Sequence, residues 1–480
     1  MASEASIWSS SRHGSEKEQA LDDGDGPGMR TVHQQDYDRL VFSTPVRRLA
    51  NKTQVWPMDA NDGVRSRLTH SHEVANLARS IGARVTEVVR KHDEHPEAER
   101  AIQPILLAAG LSHDLGNPPF GHQGEVAIGN WFARRSDWIF TREREGGPEL
   151  PGGSEVPERL WPEFTKFDGN PQTFRLLVTL QTHAKRRGLD LSAATLAASL
   201  KYSRSVSGPV KGAQGKKFGY FESELSTIEW IRRSTGLKEG ERHPLTWVME
   251  ACDDIAYSVL DVEDMLKKGL LSPEDVLTIL RGTEGLAGNG TIETIAADFE
   301  KVDRTGRRAE IRRDVKVQYI RARTIAALID VAVGAFQRYA FCIMNRTHQT
   351  ALMDGDPLCD ALKGVARGYG FVHPTVLRAE AQGAAAMDSV MTEMWAAIVD
   401  REKPDDFWSK RIGAKSRYVF SLISPNYVEA AAEPESKAGP AGTTRYRELR
   451  LLTDMMSGMT DGFLTKLAGD LKDLPSVARA

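Results

Sequence analysis

AIQPILLAAGLSHDLGNPPFGHQGE, residues 101–125, joins a nearly all-apolar helix to a histidine–aspartate pair and then to a sharp turn. A carboxylate delivered to the end of a buried helix is costly unless it is paired or bound to a cation, which makes His113-Asp114 more than decoration. Gly116-Asn117-Pro118-Pro119 reverses the chain. His122 and Glu125 follow at i and i+3, on one face of the first turn of the next helix.

Working upstream, RLTHSHEVANLARSIGARVTEVV (67–89) repeats apolar residues at three and four: Val74, Leu77, Ala78, Ile81, Val85 and Val88. His70 precedes Val74 by four and shares that inward stripe, whereas His72 lies about 200° further round and faces out. Alone, an inward histidine reads as a hydrogen-bonded core residue. Downstream, HPLTWVMEACDDIAYSVLDVEDMLKKGLL (243–271) is a third helix, with Asp253, Tyr257 and Asp261 spaced by four along one face. A solvated acidic face accounts for Asp261, Glu263 and Asp264. Asp253 is harder to place in water, because its turn is small and apolar. Two histidines and two aspartates from three helices suit a mid-hard divalent metal, and manganese, magnesium, iron, cobalt and zinc all qualify. A second histidine–aspartate pair, His92-Asp93, stands among charges beside a proline and reads as a solvated helix end.

The remaining chain supports a mainly α protein. Helical periodicity marks 70–91, 100–113, 122–134, 171–200, 245–268, 307–340 and 445–472, with few strand-like runs. The expected organisation is a disordered tail at 1–28, a core at 29–270 and a helical C-terminal region at 271–480. Gly, Pro and charge make 143–160 and 203–220 insertion loops and 429–444 a surface loop. The chain is 27% charged with a formal net charge of −3, so an anionic substrate needs a local basic cluster or a metal rather than a global field. The basic residues Arg47, Arg48, Lys52, Lys185, Arg186, Arg187 and the 211–217 lysines read as solvated surface. Three cysteines without CxxC spacing fit a reducing compartment, and no apolar stretch approaches the ~20 residues of a membrane span. A soluble, cytoplasmic protein without membrane contact is expected.

The order H…HD…D resembles the HD superfamily of phosphohydrolases. FSTPVRRLANKTQVWP, RLTHSHEV, HDLGNPPFGHQGE, FDGNPQTFRLL, LDLSAATLAASLKY, HPLTWVMEACDDIAYSVLDVED and the C-terminal LRLLTDMMSGMTDGF are similar to its deoxyguanosine triphosphate triphosphohydrolase branch. The resemblance implies a multi-helix HD-domain fold with an added helical C-terminal region. It implies hydrolysis of a dNTP, with dGTP favoured, to deoxynucleoside and inorganic triphosphate. It implies a divalent metal held by His70, His113, Asp114 and Asp253, with His122 and Glu125 as the catalytic pair. Gln54, Tyr257 and Asp261 would surround the deoxyribose, and Arg67, Lys201 and Tyr202 the triphosphate or nucleotide face. It also implies a homo-oligomer, tetramer or hexamer, and members that respond to dNTP effectors or single-stranded DNA. Ser203 stands where members tend to have proline. The alternatives are another HD phosphohydrolase acting on a different nucleotide, or a nucleotide- or single-strand-sensing protein without catalysis.

Overall fold

Helix caps and apolar stripes coincide along most of the chain, and the architecture follows from them. A computed structural model describes residues 5–14, 30–58, 61, 63–93, 95, 97–142, 155–182, 188–209, 217–433 and 439–474. Among these the chain forms 19 α-helices and no strand, with isolated β-bridges such as Thr53 to Ser66. The fold is mainly α.

The helices that frame the site are α1 (Val32–Val41), α2 (Arg67–Arg90), α3 (Ala98–Ser112), α4 (Gly121–Ala133), α5 (Gly169–Val178), α6 (Ala193–Ser199), α7 (Pro244–Lys267), α8 (Ala309–Met344), α9 (Pro374–Val399), α10 (Thr444–Gly458) and α11 (Asp461–Lys472). α2 and α3 pack most extensively, burying Val74, Ile81 and Val85 against Ile102, Ile105 and Leu106. Gly110 lets the two backbones close, since a Cβ there would stand 2.8 Å from Ala75 Cα. α7 crosses α2, α3, α6 and α8, while α9 covers α4, α10 and α11. Each fully buried Leu, Ile or Val contributes about 1.5–3 kcal/mol, so this helical layer supplies a rigid floor under the site.

Several expectations change. The 171–200 helix divides into α5 and α6, and 445–472 divides where Thr460 caps α11 after an extended Met459. Residues 5–14, expected within the disordered tail, pack against the body: Ile7 and Trp8 are buried, and Trp8 Nε1 donates to Asp93 Oδ2 at 2.8 Å. One large indole supplies the apolar area that the polar composition hid. The same contact makes Asp93 an anchor rather than a solvated acid. Within the two insertions, Val156, Leu160, Phe218 and Tyr220 are buried, and 143–154 and 210–216 lie outside the described residues. The 429–444 loop opens with a helix, Pro425–Ala432. α8 contains an 18-residue window of mean hydropathy 1.4, long and apolar enough to cross a membrane, contrary to the expectation that none existed. It lies along α7 and α2 through Val317, Ile320, Thr324 and Leu328.

Candidate functional site

Ser66 caps α2 by accepting from Thr69 N, which starts the helix at Arg67 and turns His70 inward one turn later. His70 is 1% exposed, and neither of its ring nitrogens has a hydrogen-bond partner. α3 ends at Ser112; His113 then donates from Nδ1 to the Gly110 carbonyl at 2.7 Å, which aims Nε2 at the carboxylates. From α7, Asp253 Oδ1 lies 3.6 Å from His70 Nε2 and 3.5 Å from His113 Nε2. Donor atoms sharing one cation at about 2.1 Å stand about 3–3.5 Å apart. The spacing and the orphaned imidazole nitrogens therefore fit a divalent ion held by His70, His113 and Asp253.

Asp114 stands beside this group, 3.6 Å from His113 Nε2, but its oxygens are engaged. Oδ1 accepts from Asn117 Nδ2 at 2.6 Å, and Oδ2 pairs with Arg67. Asp254 turns away to Lys363 at 2.7 Å. The local field is strongly polarised. Burial disfavours a charged Asp253, but Lys201, 3.1 Å from Oδ2, and His113 outweigh it and hold the carboxyl well below its usual range. Burial also disfavours a cationic His113, yet Asp114 and Asp253 push it up to about 9. A cluster that draws a proton onto a buried imidazole is one that attracts positive charge.

The turn after Asp114 places the second pair. Phe120 (φ 61) and Gly121 (φ 55) take left-handed conformations ahead of α4, and a Cβ on Gly121 would meet Arg67 Nη2 at 2.3 Å. On α4, His122 Nδ1 lies 2.9 Å from Glu125 Oε2, while Glu125 Oε1 accepts from Gly169 N at 2.6 Å. The hydrogen bond from Nδ1 to Glu125 raises the His122 pKa above its ordinary value. His122 Nε2 is left to exchange a proton.

A cavity of about 180 Å³ is walled by Arg67, Asp114, His122, Glu125, Lys201 and Asp253. His113 also lines it, and Asn117, Asn170, Thr173, Ser199 and Lys217 complete its polar lining. None of these last five stood out in the sequence. Lys217 looked like one of a run of surface lysines, and nothing local distinguishes it. The walls do not include Gln54, Tyr202, Tyr257 or Asp261. Tyr202 is buried under Lys217, whose Nζ is 5.8 Å from the ring, and Tyr257 stands 5.8 Å from Phe371. Gln54 Oε1 and Asp261 Oδ2 are buried without a partner. Burial first, and then Asp264, hold the Asp261 carboxyl well above its usual range. A larger cavity of about 790 Å³ under α5 contains none of these residues, and its Arg175 is already paired with Glu224 and Asp454.

Residues 67–146 match the HD domain family, a span that holds His70, His113, Asp114, His122 and Glu125. Over 459 residues the chain is 31% identical to a deoxyguanosinetriphosphate triphosphohydrolase-like protein of Listeria monocytogenes, covering 93% of this chain and 95% of the relative. A deoxyguanosinetriphosphate triphosphohydrolase-like protein of Pseudomonas aeruginosa is 31% identical over 462 residues, 92% of this chain and 93% of its own. The deoxyguanosinetriphosphate triphosphohydrolase of Salmonella paratyphi A is 31% identical over 481 residues, covering 90% and 93%.

Proposed function

Because the chain belongs to the family of deoxyguanosinetriphosphate triphosphohydrolase-like HD proteins, we propose that it hydrolyses deoxynucleoside triphosphates, dGTP among them, to deoxynucleoside and inorganic triphosphate. The observation that carries this reading is the set of orphaned His70 and His113 nitrogens around Asp253, opening on a cavity lined by Arg67 and Lys201. His70, His113 and Asp253, with Asp114 alongside, would hold a divalent cation. Such an ion supplies a water of lowered pKa and a Lewis-acid contact to phosphate oxygens.

The protein's own groups do the rest. Arg67, Lys201 and Lys217 bind the phosphate end and offset charge that grows in the transition state. Water oxygen, giving up one proton to solvent, bonds to the α-phosphorus as the bond from phosphorus to the 5′-oxygen breaks. His122 Nε2 gives its proton to that 5′-oxygen, and Glu125 keeps the imidazole oriented and charged. Gln54 and Asp261 offer hydrogen bonds to the 3′-hydroxyl, and Tyr257 fills the space that a 2′-hydroxyl needs.

The test is to incubate the protein with each dNTP and with GTP, supplying manganese or magnesium, and to separate products by ion exchange. Deoxynucleoside plus triphosphate is expected. Monophosphate plus pyrophosphate would move the protein to another nucleotide hydrolase class. No turnover with mixed dNTPs and single-stranded DNA present would favour a sensing role.

A further inference from the structure

Two contacts run from the C-terminal helices to the turn that leads from Asp114 to His122. Lys52, which looked like a surface residue in the sequence, is 3% exposed. Its Nζ donates to the Asn117 carbonyl and to the Ser457 carbonyl of α10, each at 2.6 Å. Asn117 in turn donates from Nδ2 to Asp114 Oδ1 at 2.6 Å. Burial, and then Arg67, pull the Lys52 ammonium down to about 7, the mark of a site where a charged side chain is costly and yet held by two carbonyls. The second contact starts at Asp461, the first residue of α11 and 1% exposed. Its Oδ2 accepts from Thr53 N at 2.9 Å, next to Gln54, and its Oδ1 accepts from Phe120 N at 3.0 Å. Phe120 holds the left-handed φ of 61° that launches α4, and with it His122 and Glu125.

We infer that Lys52 and Asp461 are positioning residues, which hold the 117–120 turn from the C-terminal helices and through it set the rotamer of Asp114 and the placement of His122. This rests on the reading of Asp114 and His122 given above. Lys52 acts through Asn117 on the metal side, and Asp461 acts through the Phe120 amide on the proton-transfer side. The two residues therefore have separable consequences. It also explains why the TDMMSGMTDGF segment, far along the chain, belongs to the site: it contributes Ser457 and Asp461.

The experiment uses full-length Lys52→Met, Asp461→Asn, Asn117→Ala and His113→Ala. Each is titrated calorimetrically with manganese alone, melted thermally, and assayed for kcat and KM on the dNTP that the wild type turns over. Lys52→Met should weaken manganese binding by about tenfold, as loss of outer support for a ligand does, with KM shifted less than kcat. Asp461→Asn should lower kcat by about tenfold while keeping manganese affinity close to wild type. Lys52→Met combined with Asn117→Ala should lose little beyond the worse single variant, because both lie on one path. The inference is overturned if Lys52→Met and Asp461→Asn only lower the melting temperature, with metal affinity and kcat within about twofold of wild type well below it. If His113→Ala binds manganese as wild type does, the metal reading itself fails and the inference with it. Loss in His113→Ala with none in Lys52→Met rejects positioning alone.

Discussion

His122 is 79% exposed while Glu125, which holds its Nδ1, is 13% exposed, so the pair is anchored from one side and open on the other. The raised His122 pKa has a kinetic consequence. If its protonated form donates to the leaving oxygen, kcat/KM falls on the basic side through a pKa above 6.5. Glu125→Gln removes the carboxylate charge that favours imidazolium, so the basic limb should move to lower pH and the maximal rate should fall by roughly 10²-fold. A pH–rate series on the two proteins reads both effects, and an unmoved limb would take His122 out of the acid role. Tyr257 has its own consequence at this scale. Tyr257→Ala opens the space beside the sugar and should reduce discrimination of dGTP over GTP by about tenfold or more. Competition assays with the two nucleotides measure that ratio directly.

Among the elements, α7 matters most, because it carries Asp253, Tyr257 and Asp261, and its start depends on a neutral histidine. His243 Nδ1 accepts from Leu245 N at 3.1 Å as the cap, while Nε2 donates to the Ile7 carbonyl at 2.9 Å. One imidazole can fill both roles only when uncharged. Burial holds its pKa down to about 4, against 6.5 for an unburied histidine. A base whose folded pKa is depressed adds stability that is complete above 6.5 and is lost as pH falls from 6.5 towards 4. The loss expected by pH 4.5 is about 2–3 kcal/mol. His243→Asn keeps a capping oxygen without a titrating ring. Its guanidinium unfolding free energy should therefore fall less than that of the wild type between pH 7 and pH 4.5. Equal falls would place the acid sensitivity elsewhere. The same cap ties residues 5–14 to the body, since Trp8 packs edge-on to His243 with ring centroids 5.7 Å apart.

For the whole molecule, α8 presents Phe341 to solvent about 20° round the helix from Gly334, where an added Cβ would meet nothing within 4 Å. Glycine in an exposed helix costs about 1 kcal/mol relative to alanine. A homo-oligomer built on this side of α8 would cover Phe341 and let a second backbone approach Gly334. Sedimentation equilibrium should then give a mass that is a multiple of 53.1 kDa. Phe341→Glu should lower it. A wild-type mass of one chain, or an unchanged mass in the variant, would remove α8 as the contact.

The helical class was legible in the sequence, and so were His70, His113 and Asp253 as candidates, which the fold brings within 3.6 Å of one another through Asp253 Oδ1. Those features are local: a 3.6-residue period shows which side of a helix is buried, and an ionisable residue on that side stands out at once. It also separated His72 from His70, and the structure keeps His72 exposed. What depends on pairs distant along the chain came from packing. It engaged both Asp114 oxygens with Arg67 and Asn117, put Lys217 in the cavity wall, and left Tyr202, Tyr257 and Gln54 outside that wall. It buried Trp8 against Asp93 and Lys52 between Asn117 and Ser457. A lysine in a polar stretch carries no sign of the two carbonyls that will meet it. The energy of such a contact belongs to both segments, and periodicity reads only one segment at a time.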